Sequence, residues 1–312
     1  MTTGQEERAA ERFRQAAALL PAWLRGPLER LPREEQAMTE EIRLRAGRAM
    51  TVGSPAGEKQ APGSGEIVRS SDLSLVLEVA TRASAHTALD RVQNGFFTVR
   101  GGHRIGLCGS AVVREGAVHN LRQLSSLSIR VAREVPGAAE AVLDVLRRPG
   151  GVHSTLILSP PGGGKTTLLR DLVRSLSDGV EGPALRVGLA DERSEVAALW
   201  EGMPQLDVGG HTDILDGCPK AAALMMLLRG MNPQVLAADE ITAPEDAEAL
   251  EAAANCGVSL LATAHGTGPE DLRIRPLYRR LLERKVFQRL VVIRRVGPGR
   301  VCEVRSLEGE RC

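Results

Sequence analysis

The stretch Ser159-Pro160-Pro161-Gly162-Gly163-Gly164-Lys165-Thr166-Thr167 decides the fold of this 312-residue chain. It follows the apolar run Thr155–Leu158, which predicts a strand, and it precedes Leu168–Leu176, which predicts a helix. A strand, a glycine-rich turn and the start of a helix form the arrangement that a phosphate-binding loop requires. The three glycines let the backbone curl with its N–H groups pointing inward, and the helix adds the positive end of its dipole.

The residues of this loop have predicted roles toward a nucleoside triphosphate. We expect the whole stretch from Ser159 to Thr167 to bind the phosphates, with Lys165 reaching the outer ones and the Thr166 hydroxyl binding Mg²⁺. The general pattern is G-x-x-x-x-G-K-[ST], and Ser159 stands where that pattern has its first glycine. Because this position only opens the turn, the departure leaves the phosphate-binding amides in place. The alternative is a glycine-rich turn that binds nothing, but a Lys-Thr pair after three glycines has no packing rationale.

The part of the chain that contains the loop predicts an α/β fold with a mainly parallel sheet. Continuous apolar strands at Leu185–Ala190, Val235–Ala238 and Val258–Thr263 alternate with helical segments, a pattern typical of a parallel sheet covered on both faces. The helix at Ala221–Leu228 is apolar all round, so we expect it to be buried. Between these elements, Glu201–Cys218 is predicted as a long loop.

The first half of the chain predicts a smaller α+β domain. Its expected elements are helices within 6–31 split by Pro21, a strand at 41–45, a loop at 53–65, a helix from Ser71 to about Gln93, a hairpin at 96–113 and short strands within 118–131. Arg148-Pro149-Gly150-Gly151 is the predicted linker. The predicted domains are therefore 1–148, a helical cap plus small sheet, and 149–312, which ends in an antiparallel hairpin.

Two carboxylates follow a buried strand of the second domain. Asp239 and Glu240 come directly after Val235–Ala238, at the edge of the sheet where ligands of open α/β folds collect. We expect Asp239 to be the Mg²⁺ partner and Glu240 to be the base or orienting group for the attacking water. The alternative is that the pair is an acidic N-cap for the following helix.

Further polar residues near the strand ends are candidates for the active site, and each of them also has a purely structural interpretation. His265 ends the strand after Val258 and is predicted to sense the γ-phosphate, although a purely structural histidine is the alternative. Arg229 is either a catalytic sensor or part of an interdomain salt bridge. Asp191 and Glu192 either place water or metal, or they cap and pack. A neighbouring subunit often supplies an arginine to such sites, and the candidates for that role are Arg100, Arg104, Arg273 and Arg275.

The composition of the chain limits the binding partners and the cellular compartment that we expect. A net charge of +1 argues against a wholesale nucleic-acid binder. The 5 cysteines are scattered without CxxC spacing, which favours a reducing compartment over a disulfide framework or zinc site. No apolar run approaches the ~20 residues that span a bilayer, and no signal peptide is recognisable, so we predict a cytoplasmic protein. The segment 273–295 is strongly basic, which indicates a solvated face or a contact to nucleic acid or anionic lipid.

Several motifs in order resemble the stage III sporulation protein AA family, which is similar to the secretion and pilus ATPases. The matching pieces are EIRLRAGR (41–48), TVRGGHRIGLCG (98–109), SIRVARE (128–134), SPPGGGKTTLLRDL (159–172), ADERSEV (190–196), GMNPQVLAADEI (230–241) and ATAHG (262–266). ADERSE resembles the acidic box of the secretion ATPases, and ATAHG resembles their histidine box.

This resemblance implies an α+β domain joined to a RecA-like P-loop ATPase domain. It also implies ATP and Mg²⁺ as ligands, with hydrolysis by Lys165, Thr166, Asp239 and Glu240, and a homo-oligomer, a hexamer in the related ATPases. The implied role is to power the channel between mother cell and forespore, with the membrane proteins of that channel as partners and a peripheral location at the inner, mother-cell membrane.

Two other functions stay open at this stage. Similar ATPase domains occur joined to RNA- or DNA-binding modules, so a nucleic-acid-dependent ATPase is the main alternative. The third possibility is a nucleotide-gated scaffold with negligible turnover, against which the presence of Glu240 argues.

Overall fold

The computed structural model describes residues 3–63, 65, 67–81, 95–297 and 299–307. The chain forms two compact units, and each of them consists of two segments of the sequence. Unit 1 comprises Met1–Glu134 together with Leu199–Gln205, and unit 2 comprises Val135–Ala198 together with Leu206–Cys312. The chain therefore passes from one unit to the other three times.

Unit 1 combines helices with an antiparallel sheet. Its helices are α1 (Thr3–Ala17), α2 (Ala22–Glu29), α3 (Arg33–Met38) and α4 (Ser70–Thr81). Its strands are β1 (Glu41–Arg45), β2 (Thr51–Ser54), β3 (Gly57–Gln60), β4 (Phe96–Thr98), β5 (Arg104–Arg114) and β6 (Ala117–Arg130), and their order in the sheet is β3-β2-β1-β6-β5-β4. The alternation of buried Ile42 and Leu44 with partly exposed charged residues places one face of β1 in the core, as the sequence pattern predicts.

Three expectations for unit 1 need correction or restriction. The predicted loop at 53–65 contains the hairpin β2–β3, whose second strand is polar and exposed and so lacks the alternation that marks a strand. The short strands expected within 118–131 form the single long strand β6, which pairs with both β1 and β5. Of the helix predicted from Ser71, α4 is confirmed to Thr81, and the remainder to Gln93 lies outside the described residues.

His103 belongs to the interior of unit 1, although it follows a glycine turn in the sequence. Its side chain is fully buried, and its Nδ1 accepts the Ala132 N–H at 3.1 Å. Burial, together with the nearby Arg12 guanidinium, lowers the pKa of His103 from 6.5 to about 4. The imidazole is therefore held in its neutral form.

Unit 2 is built on a seven-stranded sheet flanked by helices. Its main strands are β9 (Thr155–Ser159), β10 (Val187–Asp191), β13 (Thr212–Asp216), β14 (Val235–Ala238), β15 (Ser259–His265), β16 (Arg289–Val296) and β17 (Gly299–Ser306), and their order is β13-β10-β14-β15-β9-β16-β17. Short pairs are formed by β7 (Arg147–Arg148) with β8 (Gly151–Val152) and, in unit 1, by β11 (Leu199–Trp200) with β12 (Met203–Pro204). All neighbours in the large sheet are parallel except β16 and β17.

Helices cover both faces of this sheet. They are α5 (Glu140–Leu146), α6 (Lys165–Ser177), α7 (Lys220–Gly230), α8 (Pro244–Asn255), α9 (Pro269–Ile274) and α10 (Pro276–Glu283). Leu156 and Leu158 pack into one core cluster with α7 and α8, whereas Ile157 between them packs into a second cluster with α5 and α6. Successive residues of β9 thus point to opposite faces, and both faces are buried.

Two expectations for the second half of the chain are wrong. The predicted loop at 201–218 contains β12 and the edge strand β13, which pairs with β10. Helix α7 is not buried all round, because the Met226 side chain is 60% exposed while Leu224 and Leu227 lie in the core. The side chain of an exposed methionine is as apolar as that of a buried one, so a run of apolar residues in the sequence predicts more burial than the helix has. Within the described residues, no helix is both long and apolar enough to cross a membrane.

Candidate functional site

The glycine-rich segment forms a tight turn between β9 and α6. Gly162 and Gly164 have φ of 71° and 104°, conformations that favour glycine, and Lys165 is the first residue of α6. At Gly163 the constraint is space, because an added Cβ would lie 2.2 Å from Ser159 Oγ. The turn therefore requires each of its three glycines, two for backbone conformation and one for close packing.

Ser159, the departure from the general loop pattern, closes this turn. It is fully buried, and its hydroxyl donates to the Pro160 carbonyl at 2.9 Å. Its own carbonyl accepts the Gly266 N–H at 3.2 Å, which links the start of the loop to the end of the neighbouring strand β15. The serine thus occupies the glycine position without opening the loop.

The Lys165 ammonium group lies inside the loop and is held by acceptors of the protein itself. Its Nζ is 3.2 Å from the Ser159 carbonyl, 3.5 Å from the Pro160 carbonyl and 2.8 Å from His265 Nδ1. Burial lowers the pKa of Lys165, and the nearby carboxylates of Asp239 and Glu240 act in the opposite direction.

Asp239 connects the loop to two strands. Its Oδ2 accepts a hydrogen bond from Thr166 Oγ1 at 2.7 Å, and its Oδ1 accepts one from Thr263 Oγ1 at 2.5 Å. Thr263 is fully buried and also accepts the Glu240 N–H at 2.8 Å. One threonine of β15 therefore fixes both carboxylate residues that follow β14.

Glu240 has an unusual backbone and two occupied carboxylate oxygens. Its φ is 54°, in the left-handed region that non-glycine residues seldom adopt. Its Oε1 is 3.0 Å from His265 Nε2, and its Oε2 accepts a hydrogen bond from Arg193 at 2.8 Å.

His265 bridges Lys165 and Glu240 through its two ring nitrogens. An ammonium group can only donate, so Nδ1 accepts from Lys165 and the remaining proton on Nε2 is donated to the Glu240 carboxylate. The arrangement requires the neutral Nε2–H tautomer. Lys165, His265 and Glu240 consequently form one connected chain of hydrogen bonds.

The two acidic residues at the end of β10, Asp191 and Glu192, make different contacts. Asp191 is 1% exposed, and its carboxylate accepts backbone N–H groups from Glu195 at 2.8 Å and from Ala197 at 2.8 Å, with further contacts to Val196 and Ala198. It therefore organises the loop after β10. Burial raises the pKa of Asp191, and these backbone donors act in the opposite direction. Glu192 instead pairs with Lys220 Nζ at 2.9 Å.

The structure does not bring Arg229 to this site. Lys220 at the start of α7 reaches Glu240, and the helix then runs antiparallel to the strands of the sheet. At about 1.5 Å per residue, Arg229 lies roughly 14 Å further along the helix, at the opposite edge of the sheet. The carbonyl of Asn232, which lies three residues after Arg229, accepts a hydrogen bond from Arg186, the residue just before β10. This end of the helix therefore lies near the beginnings of the strands, away from the site.

The arginines predicted as candidates for a neighbour's site have varied local contacts. Arg275 donates to the His265 carbonyl at 2.8 Å, and Arg273 pairs with Glu270 at 3.3 Å. In unit 1, the Arg104 guanidinium lies 3.8 Å from the centre of the Phe96 ring. Arg100 is exposed. Arg275 therefore contacts a residue of the present site within its own chain.

Sequence reasoning missed four residues around this site. They are Thr263, Arg193, Lys220 and Arg300, whose Nε lies 3.0 Å from the position that a Cβ on Gly164 would take. A hydroxyl two residues before His265 was the available signal for Thr263. Arg193 lies within the ADERSEV segment, where the neighbouring carboxylates drew the attention, and Lys220 and Arg300 approach the site through tertiary contacts that no local pattern indicates.

The side chains at the mouth of the loop fit Mg²⁺ better than a metal that needs several protein ligands. Thr166 and Asp239 supply a hydroxyl and a carboxylate, and Mg²⁺ in nucleotide sites is held by one or two such oxygens together with phosphates. Among the described residues, no group of three or more His, Cys, Asp and Glu side chains is placed to hold a metal ion.

Comparisons with known proteins agree with this architecture. The family model described as sporulation stage III, protein AA matches residues 10–312. The chain is 39% identical over 298 residues to stage III sporulation protein AA of Bacillus subtilis (strain 168), with 94% of this chain and 95% of the relative covered.

Solved structures show the same fold at low sequence identity. The ATPase DotB of Legionella pneumophila matches with a TM-score of 0.62 at 15% identity, covering 93% of this chain and 82% of that one. The pilus retraction motor PilT with bound ADP matches with a TM-score of 0.58 at 18% identity, covering 85% and 78%. The predicted fold class, a RecA-like P-loop domain preceded by a smaller α+β domain, is confirmed. The chain belongs to the sporulation stage III, protein AA family.

Proposed function

We propose that this protein is an ATP-hydrolysing motor of the secretion-ATPase type. The observation that carries the proposal is the meeting of Thr166 and Asp239 at 2.7 Å beside a glycine-rich loop, with Glu240 linked to the loop lysine through His265. A structural turn has no need for this set of groups. The segment from Ser159 to Thr167 is assigned to the phosphates.

The hydrogen bonds of the site support the roles that we propose for these residues toward ATP. Lys165 is held by uncharged acceptors and one imidazole, so a phosphate oxygen, which carries charge, is a stronger partner for its ammonium group. When Lys165 turns to the γ-phosphate, His265 loses its donor. His265 and Glu240 then face the phosphate as a connected pair.

Glu240 is the proposed group that orients the attacking water and accepts its proton. Its carboxylate is fixed on one side by His265 and on the other by Arg193, so its direction is set before water arrives. Thr166 and Asp239 would hold Mg²⁺, and the ion would supply positive charge against the charge that develops on the transferred group. The oxygens of both side chains are already oriented for that role.

The family and the fold support a proposed biological role. We assign the protein to endospore formation, as a homo-oligomer, in the form of a hexamer, that powers or assembles the channel between mother cell and forespore. Its partners are then membrane proteins of that channel, which place the protein at the cytoplasmic side of the mother-cell membrane. The similarity to a stage III sporulation protein and to a pilus retraction motor supports this assignment.

The nucleic-acid-dependent ATPase receives less support from the structure. In the basic segment 273–295, Arg280 pairs with Glu251 at 2.7 Å and Arg294 pairs with Glu303 at 3.6 Å. These guanidinium groups are engaged within the chain. Stimulation of hydrolysis by single-stranded DNA or RNA, with a steep loss as salt is raised, would favour that alternative instead.

Phosphate release by purified protein tests the proposal. We expect Lys165→Ala to abolish nucleotide binding, while Glu240→Gln binds Mg²⁺–ATP and fails to turn it over. The matched controls are Lys59→Ala, which removes an exposed lysine paired with Glu35, and Glu245→Gln on the exposed start of α8. Full turnover by Glu240→Gln would exclude the assigned base.

Oligomerisation is tested separately from chemistry. If the site is shared between subunits, the specific activity should rise with protein concentration, and the particle mass should increase on addition of ATP and Mg²⁺. A monomer that hydrolyses ATP at the same specific rate at all concentrations would contradict the motor assignment while leaving the ATPase assignment intact.

A further inference from the structure

Lys220 is a buried lysine next to the site that the proposed chemistry does not use. It is the first residue of α7, and its side chain is 4% exposed. Its Nζ lies 2.9 Å from Glu192 Oε2, 3.0 Å from the Glu240 carbonyl oxygen and 3.6 Å from Asp246 Oδ2. Three acceptors from three different segments therefore surround one ammonium group.

Such a group needs a reason to be buried. Removing an ammonium group from water is costly unless charge partners and hydrogen bonds replace the solvent. Here the carboxylates of Glu192 and Asp246 supply the charge. Asp246 also accepts the Thr242 and Ala243 N–H groups at the start of α8, so its position is fixed independently of Lys220.

The third acceptor distinguishes Lys220 from a structural ion pair. The Glu240 carbonyl belongs to a residue whose φ is 54°, a conformation that is unfavourable outside glycine and persists only when its surroundings fix it. Thr263 holds the N–H of Glu240 at 2.8 Å, and Lys220 holds its C=O at 3.0 Å. The backbone of Glu240 is thus fixed on both sides.

We propose that Lys220 is a positioning residue for Glu240. Its ammonium group holds the Glu240 backbone in the left-handed conformation that directs the carboxylate toward His265, and it ties that backbone to the acidic segment through Glu192. The inference rests on the proposed ATPase function. Lys220 has no hydrogen bond to the loop from Ser159 to Thr167 among the described residues, so it acts on turnover and not on nucleotide binding.

Steady-state ATP hydrolysis by Lys220→Met tests the inference. Methionine retains most of the side-chain volume and removes the ammonium group. We expect kcat to fall about 10- to 100-fold, because a displacement of a reacting group by about 1 Å costs up to about 100-fold. The Kd for ADP–Mg²⁺ should stay within about twofold of wild type, and Lys59→Met should change neither quantity.

A double variant separates positioning from a general effect on the protein. If Lys220 acts only through Glu240, single-turnover hydrolysis by Lys220→Met/Glu240→Gln should be no slower than by Glu240→Gln alone. A further loss in the double variant would overturn the inference. So would a wild-type kcat in Lys220→Met, or a loss of ADP binding that matches its loss of kcat.

A second substitution covers the case in which Lys220→Met does not fold. Glu192 is 39% exposed, so Glu192→Gln removes the nearest anion of Lys220 with little risk to the core. We expect kcat to fall about three- to tenfold at unchanged ADP affinity, and an unchanged kcat would overturn the inference. If Glu240→Gln itself hydrolyses ATP normally, the proposed function fails. If Glu240→Gln is inactive and Glu192→Gln keeps full activity, only the role of Lys220 fails.

Discussion

Thr263→Val is the substitution that tests most directly how the two carboxylate residues are held. The Thr263 hydroxyl donates to Asp239 Oδ1 at 2.5 Å and accepts the Glu240 N–H at 2.8 Å, and the side chain is fully buried. Valine has nearly the same shape, so the change removes both hydrogen bonds while the packing stays. Any effect can then be assigned to the lost bonds.

The size of the effect follows from these two bonds. Leaving the Glu240 N–H without a partner costs roughly 1–3 kcal/mol, and a hydrogen bond to a charged group contributes roughly 1.5–3 kcal/mol. Asp239 is only partly buried, and water can replace part of its lost bond. We therefore expect a loss of about 3 kcal/mol in unfolding free energy. For a unit of this size the melting temperature should fall by roughly 6–12 °C.

The same change should weaken Mg²⁺ more than nucleotide. Asp239 loses the group that orients it, and removal of such an outer partner typically weakens a metal site about 10- to 100-fold. The assay is thermal unfolding together with hydrolysis as a function of Mg²⁺ concentration. Thr267→Val is the matched control, because the Thr267 hydroxyl also donates to a carboxylate, that of Asp271 at 2.9 Å, but at an exposed position. Wild-type stability and Mg²⁺ dependence in Thr263→Val would refute the reasoning.

Three further predictions concern the loop and two buried titratable groups. Gly163→Ala should abolish nucleotide binding because its Cβ would lie 2.2 Å from Ser159 Oγ, and adding Ser159→Gly should restore part of the binding in an equilibrium titration, whereas normal binding by Gly163→Ala alone would contradict this packing. His103 has a pKa lowered to about 4 in the native state, so the unfolded chain takes up the proton first as pH falls below 6.5. Stability should therefore be lost by about 1.4 kcal/mol per pH unit down to about pH 4, and denaturation of His103→Gln should lack this slope. Tyr278 is the single tyrosine of the chain, and burial raises its pKa, so ultraviolet absorbance should show the native protein titrating at higher pH than the unfolded chain, and stability should fall as pH rises through that range; equal titration of the two states would contradict its burial.

The loop and the strand ends could be predicted because their signals are local. Three glycines followed by Lys165 specify a turn and a helix start within nine residues, and the apolar run before Asp239 specifies a buried strand. The hairpin β2–β3 and the edge strand β13 were missed because their residues are polar or only partly buried, so no alternation distinguishes them from loops.

The contacts around Glu240 could not be predicted, because they join segments that are distant in sequence. Arg193, Lys220 and His265 each come from a different strand–helix unit, and their meeting depends on the order of strands in the sheet. The distance between Arg229 and the site has a related cause. A helix that follows one parallel strand and precedes the next must run back along the sheet, so its first residue lies near the strand ends and its last residue lies far from them.

The triple passage of the chain between its units has a consequence for limited proteolysis. Leu199–Gln205 belongs to unit 1, where Gln205 accepts a hydrogen bond from Gly101 N–H at 2.8 Å and its carbonyl lies 3.3 Å from the Arg12 guanidinium. Cleavage between Glu134 and Val135 would leave that seven-residue insert on the larger fragment, still inserted among the residues of the smaller one. We expect the two nicked fragments to migrate together on a native gel and to part only in denaturant, so neither unit can be isolated faithfully by a single cut.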